Sequence, residues 1–299
     1  MYYIENEPRE ARDARELILR EFGDIDFQEE GHVYTLHGQV IETTISGLGH
    51  RFEARPFDTD MQAERYAQRH GKTAEYWKSE WEAKALRATT LGTKTHEYGE
   101  SLSYILNGLP KEMILDSALL QYDPENNDIT PSHPKEEAVA LFLKKLPASY
   151  HLVLNEARVY SGKNPDPSKN IKELICGTFD MLYWYDGNGN PEKAGYVLFD
   201  YKTNSALQSD YNRKYGNFLL PPFNDIYEEN LGMYTIQLSA YAMLLEVSRV
   251  QDYSSDYLRD SLLQVVLHSH GHLSPNQISR NFFHKQSSIP LSNQNVCGR

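Results

Sequence analysis

The sequence contains very little cysteine. Two of its 299 residues are cysteines, Cys176 and Cys297, and two are too few for a disulfide framework or a four-cysteine iron–sulfur cluster. The N-terminal residues also lack the basic and then apolar order of a signal peptide. Chains that form no disulfides are typical of reducing compartments. We therefore expect a cytoplasmic protein.

Long apolar runs and a surplus of basic residues are absent as well. No run of about 18 apolar residues occurs, so we expect no transmembrane helix and no membrane partner. The net charge of −12 argues against a protein that coats nucleic acid by charge alone. It leaves room for an enzyme that grips nucleic acid locally, for instance through one basic helix beside an acidic site.

The sequence does contain an ordered series of helical and strand patterns. Apolar spacing and turn residues predict these elements: a helix over 7–22, a hairpin around His37-Gly38, helices over 57–107 with breaks at Gly71 and Leu91-Gly92, a loop region with one short helix over 108–134, a helix over 136–146, strands over 151–161, 173–185 and 196–203, a long connection over 205–230, a helix over 234–247 and a strand over 261–269. This order predicts an α/β (α+β) fold in which helices flank a mixed central sheet.

The stretch CGTFDMLYWYDGNGNPEKAGYVLFDYKTN, residues 176–204, places charges inside two apolar strand patterns. Asp200 and Lys202 share one strand face. A turn centred near Asn190 would put Asp180 opposite Asp200, about 5 Å away. Two carboxylates at that spacing repel each other unless a cation lies between them, and hard oxygen ligands favour Mg²⁺ or Mn²⁺.

A surface hairpin with a solvated Asp–Lys pair is the alternative interpretation of the same spacing, because Asp-x-Lys often occurs by chance. The apolar residues on either side, Val197 to Phe199 and Met181 to Tyr185, favour a functional site. Solvated strand faces usually alternate with polar residues along their whole length.

Four motifs in order resemble the PD-(D/E)XK nuclease superfamily, and most closely its RecB-type and phage-exonuclease branch. They are Gly177-x-x-Asp180, Asp200-Tyr201-Lys202, Gln237-x-x-x-Tyr241 and the upstream segment GTKTHEYGE with His96. Glu156 matches the acid that this branch carries on the preceding strand. The resemblance covers about residues 31–270 and implies a restriction-endonuclease-like core.

The resemblance implies a role for each matched residue. Asp180, Asp200, His96 and the backbone carbonyl of Tyr201 would bind Mg²⁺ or Mn²⁺, and Glu156 would complete the site. Lys202 would be the catalytic lysine. Gln237 and Tyr241, one helical turn apart, would face the site and contact the phosphate or position Lys202.

The implied activity is metal-dependent hydrolysis of DNA phosphodiesters, by an exonuclease that leaves 5′-phosphates during recombination or repair in a bacterial or phage-infected cell. Some relatives of this branch carry an iron–sulfur cluster or a helicase, and this sequence has neither the four cysteines nor the pattern G-x-x-x-x-G-K-[ST]. We therefore expect a stand-alone nuclease. A second copy of the chain or a recombination protein would be its protein partner.

The same resemblance divides the chain into four regions. Residues 1–56 form an N-terminal helix and hairpin, 57–147 a helical wall that carries His96, 148–273 the nuclease core and 274–299 a polar tail. The tail matches no part of the superfamily pattern.

Two sets of residues are candidates for binding DNA. The basic residues Lys78, Lys84, Arg87 and Lys94 accompany Trp77 and Trp81, and Tyr211 and Arg213 follow the Asp-x-Lys strand. Basic side chains track a backbone and aromatic rings stack on bases. A mixed-charge exposed face with buried tryptophans, and a packed surface loop, are the alternatives for the two sets.

Two other functions fit the same residues. One is a catalytically inactive nuclease fold that binds DNA or protein, although such a module would not need Asp180, Asp200 and Lys202 together. The other is a metal hydrolase for small phosphoesters, which would need a closed pocket instead of an open groove.

Overall fold

The structure is a computed structural model that describes residues 2–161, 170–204, 206–250 and 264–268. Within residues 247–250 and 264–268 it describes the backbone only. The predicted polar tail, 274–299, lies outside the described residues. Among the helices of the described part, none is both long and apolar enough to cross a bilayer.

Groups of strands and groups of helices follow one another along the described chain. The helices are α1 (Arg9–Phe22), α2 (Ile45–Leu48), α3 (Thr59–His70), α4 (Ala74–Leu106), α5 (Asp116–Leu119), α6 (Pro134–Lys144), α7 (Asp210–Tyr215) and α8 (Asn230–Val250). The strands are β1 (Ile25–Gln28), β2 (Val33–Leu36), β3 (Gln39–Val40), β4 (Thr43–Thr44), β5 (Tyr122–Asp123), β6 (Asp128–Ile129), β7 (Tyr150–Tyr160), β8 (Ile175–Tyr185), β9 (Gly195–Tyr201) and β10 (Gln264–His268).

A mixed sheet forms the centre of the fold. β8 pairs with β7 and β9 in antiparallel fashion, while β10 lies parallel to β9 and β4 lies parallel to the start of β8. The β8–β9 register, in which Met181 pairs with Phe199, centres the hairpin on Asn190. The prediction of a mixed central sheet flanked by helices is confirmed.

Two apolar cores lie on opposite faces of this sheet. Successive strand residues point to opposite faces, and along β9 Tyr196 and Leu198 belong to one core while Val197 and Phe199 belong to the other. α1, β2 and α8 supply the first core. α4 and α6 supply the second. The sheet is therefore covered on both sides, which explains why β9 is buried along its whole length.

α4 corrects one sequence prediction. The break at Gly71 is confirmed, since Gly71 ends α3 in the left-handed conformation. The break predicted at Leu91-Gly92 is wrong, because α4 continues through both residues. A glycine inside a helix costs only about 1 kcal/mol, and the hydroxyl of Thr95 donates to the carbonyl of Leu91 within the same turn.

Two predicted loop regions contain more regular structure than expected. Residues 108–134 include α5 but also the short hairpin of β5 and β6. The connection over 205–230 contains α7, which Ser209 caps through its side chain. Strands of two residues and a helix of six are too short to show a clear apolar period.

Candidate metal centre

Three ligand-type side chains from three separate elements meet at one place. His96 of α4, Glu156 of β7 and Asp180 of β8 each offer one atom, and these atoms lie within 4.8 Å of one another. The Nδ1 atom of His96 lies 3.5 Å from Oε1 of Glu156 and 3.5 Å from Oδ1 of Asp180. Imidazole and carboxylates converging in this way can hold a divalent cation.

Strand register brings the two hairpin aspartates together. The last paired residues of β8 and β9 at this end are Met181 and Phe199. One further step along the same register puts Asp180 opposite Asp200, as the sequence predicted. The two carboxylates therefore project from neighbouring strands at the end of the hairpin that lies away from its turn.

Glu156 reaches the site through an unusual backbone conformation. Its neighbours Asn155 and Ala157 pair with the residues on either side of Asp180, so Glu156 lies opposite Asp180. Its φ of +44° lies in the left-handed region, which non-glycine residues seldom adopt. Such strain in the middle of a strand occurs mainly at functional sites.

A buried arginine stabilises the irregular part of β7 just before Glu156. The register of β7 against β8 shifts around Val153. Arg15 of α1 donates to the carbonyls of Leu152 and Val153, at 3.1 and 2.8 Å, and its charge is paired with Glu7. These bonds satisfy carbonyls that the irregular ladder would otherwise leave unpaired.

Asp200 is a buried carboxylate whose oxygen atoms are poorly satisfied. It is 1% exposed, and neither oxygen accepts a hydrogen bond of good geometry among the described residues. Its Oδ2 atom lies 2.7 Å from Nζ of Lys202, whose side chain is 13% exposed. An ionised carboxylate is seldom left this way without a further cation. A divalent cation beside Asp200 would supply that charge. The ligand atoms that meet within 4.8 Å among the described residues are those of His96, Glu156 and Asp180, without Asp200.

Asp180 differs from Asp200 because its charge is well supported. Its Oδ2 atom accepts a hydrogen bond of 2.5 Å from the backbone N–H of Tyr201. Burial would raise the pKa of Asp180, but the charges of His96 and Lys202 and this hydrogen bond lower it below its usual value. Burial likewise opposes the charge on His96, and Asp180 and Glu156 outweigh it, so the pKa of His96 is raised.

The pKa values of the other two carboxyl groups, Glu156 and Asp200, are raised instead of lowered. Burial raises the pKa of Glu156, with His96 offsetting part of the effect. Burial and the neighbouring charge of Asp180 raise the pKa of Asp200, and Lys202 offsets part of that. More negative charge is therefore gathered here than the protein's own cations neutralise, which again favours a bound metal ion.

Gln237 and Tyr241 of α8 are buried beside β8, and their contact with substrate or with Lys202 stays a prediction. Tyr241 is 2% exposed, and its hydroxyl donates to the carbonyl of Thr178 at 2.7 Å. A Cβ atom on Gly177 would lie 2.8 Å from that hydroxyl, so the glycine makes room for the ring. Gln237 is also buried and interacts with the Tyr241 hydroxyl. Tyr241 supports β8 beneath the site, so the direct contact with phosphate expected of it is not favoured.

Tyr234 was not identified from the sequence, yet it contacts the lysine of the site. The Nζ atom of Lys202 lies 4.4 Å from the centroid of the Tyr234 ring. The hydroxyl of the same ring donates to Asn204 at 2.5 Å. Tyr234 lies one turn before Gln237 on α8, the helix that carries the Gln237-x-x-x-Tyr241 motif. That spacing could have indicated that Tyr234 lies near the site. The sequence alone did not show which face of α8 meets Lys202.

Two basic residues of α4, Lys94 and Arg87, lie on the opposite side of the helix from His96. An α-helix turns by about 100° per residue, so Lys94, two residues before His96, lies on the far side of α4. Arg87 is nine residues away and also falls on the far side, while Lys84 lies about a third of a turn from His96. All three are exposed. Their binding to DNA stays a prediction.

The outer part of α4 packs against α3 through aromatic rings. Trp77 and Trp81 both contact Tyr66, with ring centroids 5.2 and 5.4 Å apart. Lys78 forms an ion pair with Asp60 of α3. These contacts favour the packing interpretation for the two tryptophans, and they occupy the ammonium group of Lys78.

The two candidates after β9 also differ from each other. Tyr211 is 61% exposed and stays available to a ligand. Arg213 makes two hydrogen bonds of 3.2 and 2.6 Å to one oxygen of the buried Glu229. Arg213 therefore has a structural partner that fixes α7 against the start of α8.

Tyr201 joins the parts of the site. Its ring lies edge-on to His96, with centroids 5.7 Å apart, and a Cβ atom on Gly99 would lie 2.7 Å from that ring. Gly99 thus allows α4 to approach β9 closely. His96, one turn before Gly99 on α4, is thereby brought to Glu156 and Asp180. The predicted metal contact of the Tyr201 carbonyl stays a prediction.

Comparison with known proteins gives no relative: no protein family, curated protein or solved structure matches the chain significantly.

Proposed function

We propose that this protein is a metal-dependent deoxyribonuclease, an exonuclease that acts on DNA in the cytoplasm and leaves 5′-phosphates. One observation carries the proposal: the His96–Glu156–Asp180 cluster adjoins a buried aspartate that is paired with Lys202. A lysine beside a cluster of carboxylates is a usable arrangement for metal-assisted phosphodiester hydrolysis.

The donor set supports Mg²⁺ or Mn²⁺ as the ion. Asp180, Asp200 and Glu156 offer oxygen atoms, and His96 offers a nitrogen atom. Oxygen ligands suit both ions, and the imidazole favours Mn²⁺ of the two. A divalent ion held there would act as a Lewis acid toward the phosphodiester and lower the pKa of water.

The protein's own groups would divide the remaining work. Lys202 would hold water near the phosphorus atom and stabilise the negative charge that develops on the phosphoryl oxygens. Tyr234 would keep the Lys202 ammonium in place through its ring face. Glu156, whose Oε1 atom lies 3.5 Å from Nδ1 of His96, would complete the set of metal ligands.

A catalytically inactive module that binds DNA or protein is the second candidate. The poorly satisfied oxygen atoms of Asp200 argue against it, because a binding module gains nothing from a destabilising buried charge. A hydrolase for small phosphoesters is the third candidate. Residues 84–90 of α4, which precede His96 on the same helix, are all exposed. This open stretch of helix supports a long substrate over a small one held in a closed pocket.

The test is digestion of end-labelled linear and closed circular DNA, each single- and double-stranded, with Mg²⁺ or Mn²⁺ or with EDTA. We expect metal-dependent loss of linear DNA, and abolition of that loss by Lys202→Ala and by Asp200→Ala. Lys145→Ala, which removes a charge from the exposed end of α6, is the matched control. Absence of cleavage by folded wild-type protein with metal would instead support the inactive module.

A further inference from the structure

Lys135, the second residue of α6, is a half-buried cation whose only described hydrogen-bond acceptor is a backbone carbonyl. Its Nζ atom donates to the carbonyl of Thr203, the residue directly after Lys202. No acid among the described residues forms an ion pair with it. Lys144 at the other end of the same helix, in contrast, lies 2.5 Å from Asp128. Burial lowers the pKa of Lys135, and no neighbouring charge offsets that effect.

Lys135 and Lys202 line the same small cavity. Its volume is about 20 Å³, and Thr95, Tyr201 and Thr203 also contribute to its lining. A cavity of this size holds one water molecule or a single oxygen atom of a larger group. Thr95 directly precedes His96, so the cavity adjoins the candidate metal centre on the α4 side.

Two lysines at one cavity repel each other unless an anion compensates them. Lys202 has Asp200 as a partner, whereas the charge of Lys135 is left over. A negatively charged oxygen atom of the substrate would supply the missing partner, and in a nucleic acid that oxygen belongs to a phosphate. Such a contact needs only one phosphoryl oxygen to enter the cavity.

We propose that Lys135 binds the backbone phosphate next to the one that is hydrolysed, and so helps to hold the nucleic acid across the site. This inference rests on the proposed function. It also identifies a source of affinity in a protein with a net charge of −12. A lysine on a phosphate strengthens binding to all sequences alike, because it releases condensed counterions without reading a base.

Salt dependence of binding tests the proposal without relying on activity. The full chain is titrated against fluorescein-labelled DNA by anisotropy, with Ca²⁺ in place of Mg²⁺, over a series of salt concentrations. Lys135→Gln removes the charge but keeps a donor for Thr203, and Lys135→Arg keeps the charge. Lys145→Ala is the control for loss of one positive charge on α6.

We expect Lys135→Gln to make the slope of log K against log salt shallower by about one phosphate contact. Lys135→Arg and Lys145→Ala should keep the wild-type slope. A wild-type slope for Lys135→Gln, in a protein that hydrolyses DNA with Mn²⁺, would overturn this inference alone. If the wild type neither binds nor hydrolyses DNA, the proposed function fails and the inference fails with it.

Discussion

Asp180 and Asp200 lie opposite one another on neighbouring strands, yet their surroundings have opposite effects on charge. The carboxylate of Asp180 accepts a hydrogen bond from the backbone of Tyr201 and faces His96. The carboxylate of Asp200 has Lys202 as a charged neighbour and no well-formed hydrogen bond among the described residues. The pKa of Asp180 is lowered and that of Asp200 is raised. Ionised Asp200 therefore destabilises the metal-free fold.

We expect Asp200→Asn and Asp180→Asn to change the stability of the metal-free protein in opposite directions. Asp200→Asn should raise the free energy of unfolding by about 1 kcal/mol, because it removes a poorly compensated buried charge. Lys202 still has the negative charge of Asp180 as a neighbour in that variant. Asp180→Asn should lower it by about 1–3 kcal/mol, because it weakens charge-assisted hydrogen bonds. Urea unfolding in EDTA measures both. A loss of stability in both variants would contradict the assignment of Asp200 as an uncompensated charge.

At the scale of elements, the contact between α4 and β9 positions His96. Two glycines of α4 have different surroundings. A Cβ atom on Gly99 would lie 2.7 Å from the ring of Tyr201, whereas one on Gly92 would lie 3.7 Å from the Thr203 hydroxyl, an ordinary contact distance. The first glycine allows the helix to approach the strand, and the second has no such role.

We expect Gly99→Ala to lower the free energy of unfolding by about 1–3 kcal/mol, because the added methyl group overpacks the interface. It should also weaken Mn²⁺ binding, since the shift of α4 moves His96. Gly92→Ala is the matched control and should stabilise the helix by up to about 1 kcal/mol with unchanged Mn²⁺ affinity. Chemical unfolding and calorimetric titration measure the two effects. Equal Mn²⁺ affinity in both variants would show that the close approach does not position His96.

At the scale of the whole molecule, an acidic protein holds a cluster of carboxylates between two apolar cores. The sheet is covered on one face by α1 and α8 and on the other by α4 and α6, so the carboxylates are held by strands that cannot easily move apart. Packed interiors resist such displacement. A metal ion that binds this rigid cluster should bind the folded chain and not the unfolded one, and it should therefore stabilise the fold.

We expect Mn²⁺ at about 100 times its dissociation constant to raise the free energy of unfolding by about 2.7 kcal/mol. The rise should appear as an increase of several degrees in Tm by scanning calorimetry, reversed by EDTA. Asp180→Asn is the control, since it keeps the fold but loses a ligand. An equal increase in that variant would show that Mn²⁺ only screens the general negative charge of the surface.

Part of the candidate site could be predicted because it depends on local rules. The alternation of β8 and β9 and their turn near Asn190 fix the register of the hairpin, so Asp180 opposite Asp200 follows from nearby residues alone. The break expected at Leu91-Gly92 failed because a local helix-breaking signal is weak. Packing of α4 against the sheet outweighs the cost of one glycine.

The sequence by itself determined the main strands of the central sheet, the hairpin that holds Asp180, Asp200 and Lys202, and the excess of negative charge. These follow from spacing along a single segment or from composition. Only the tertiary structure decided that Glu156 adopts a left-handed conformation, that Tyr234 covers Lys202 and that Lys135 reaches Thr203. Each of these features depends on a contact between residues that are far apart in the chain, or on backbone strain that such contacts maintain. The spacing of residues within one segment therefore could not predict them.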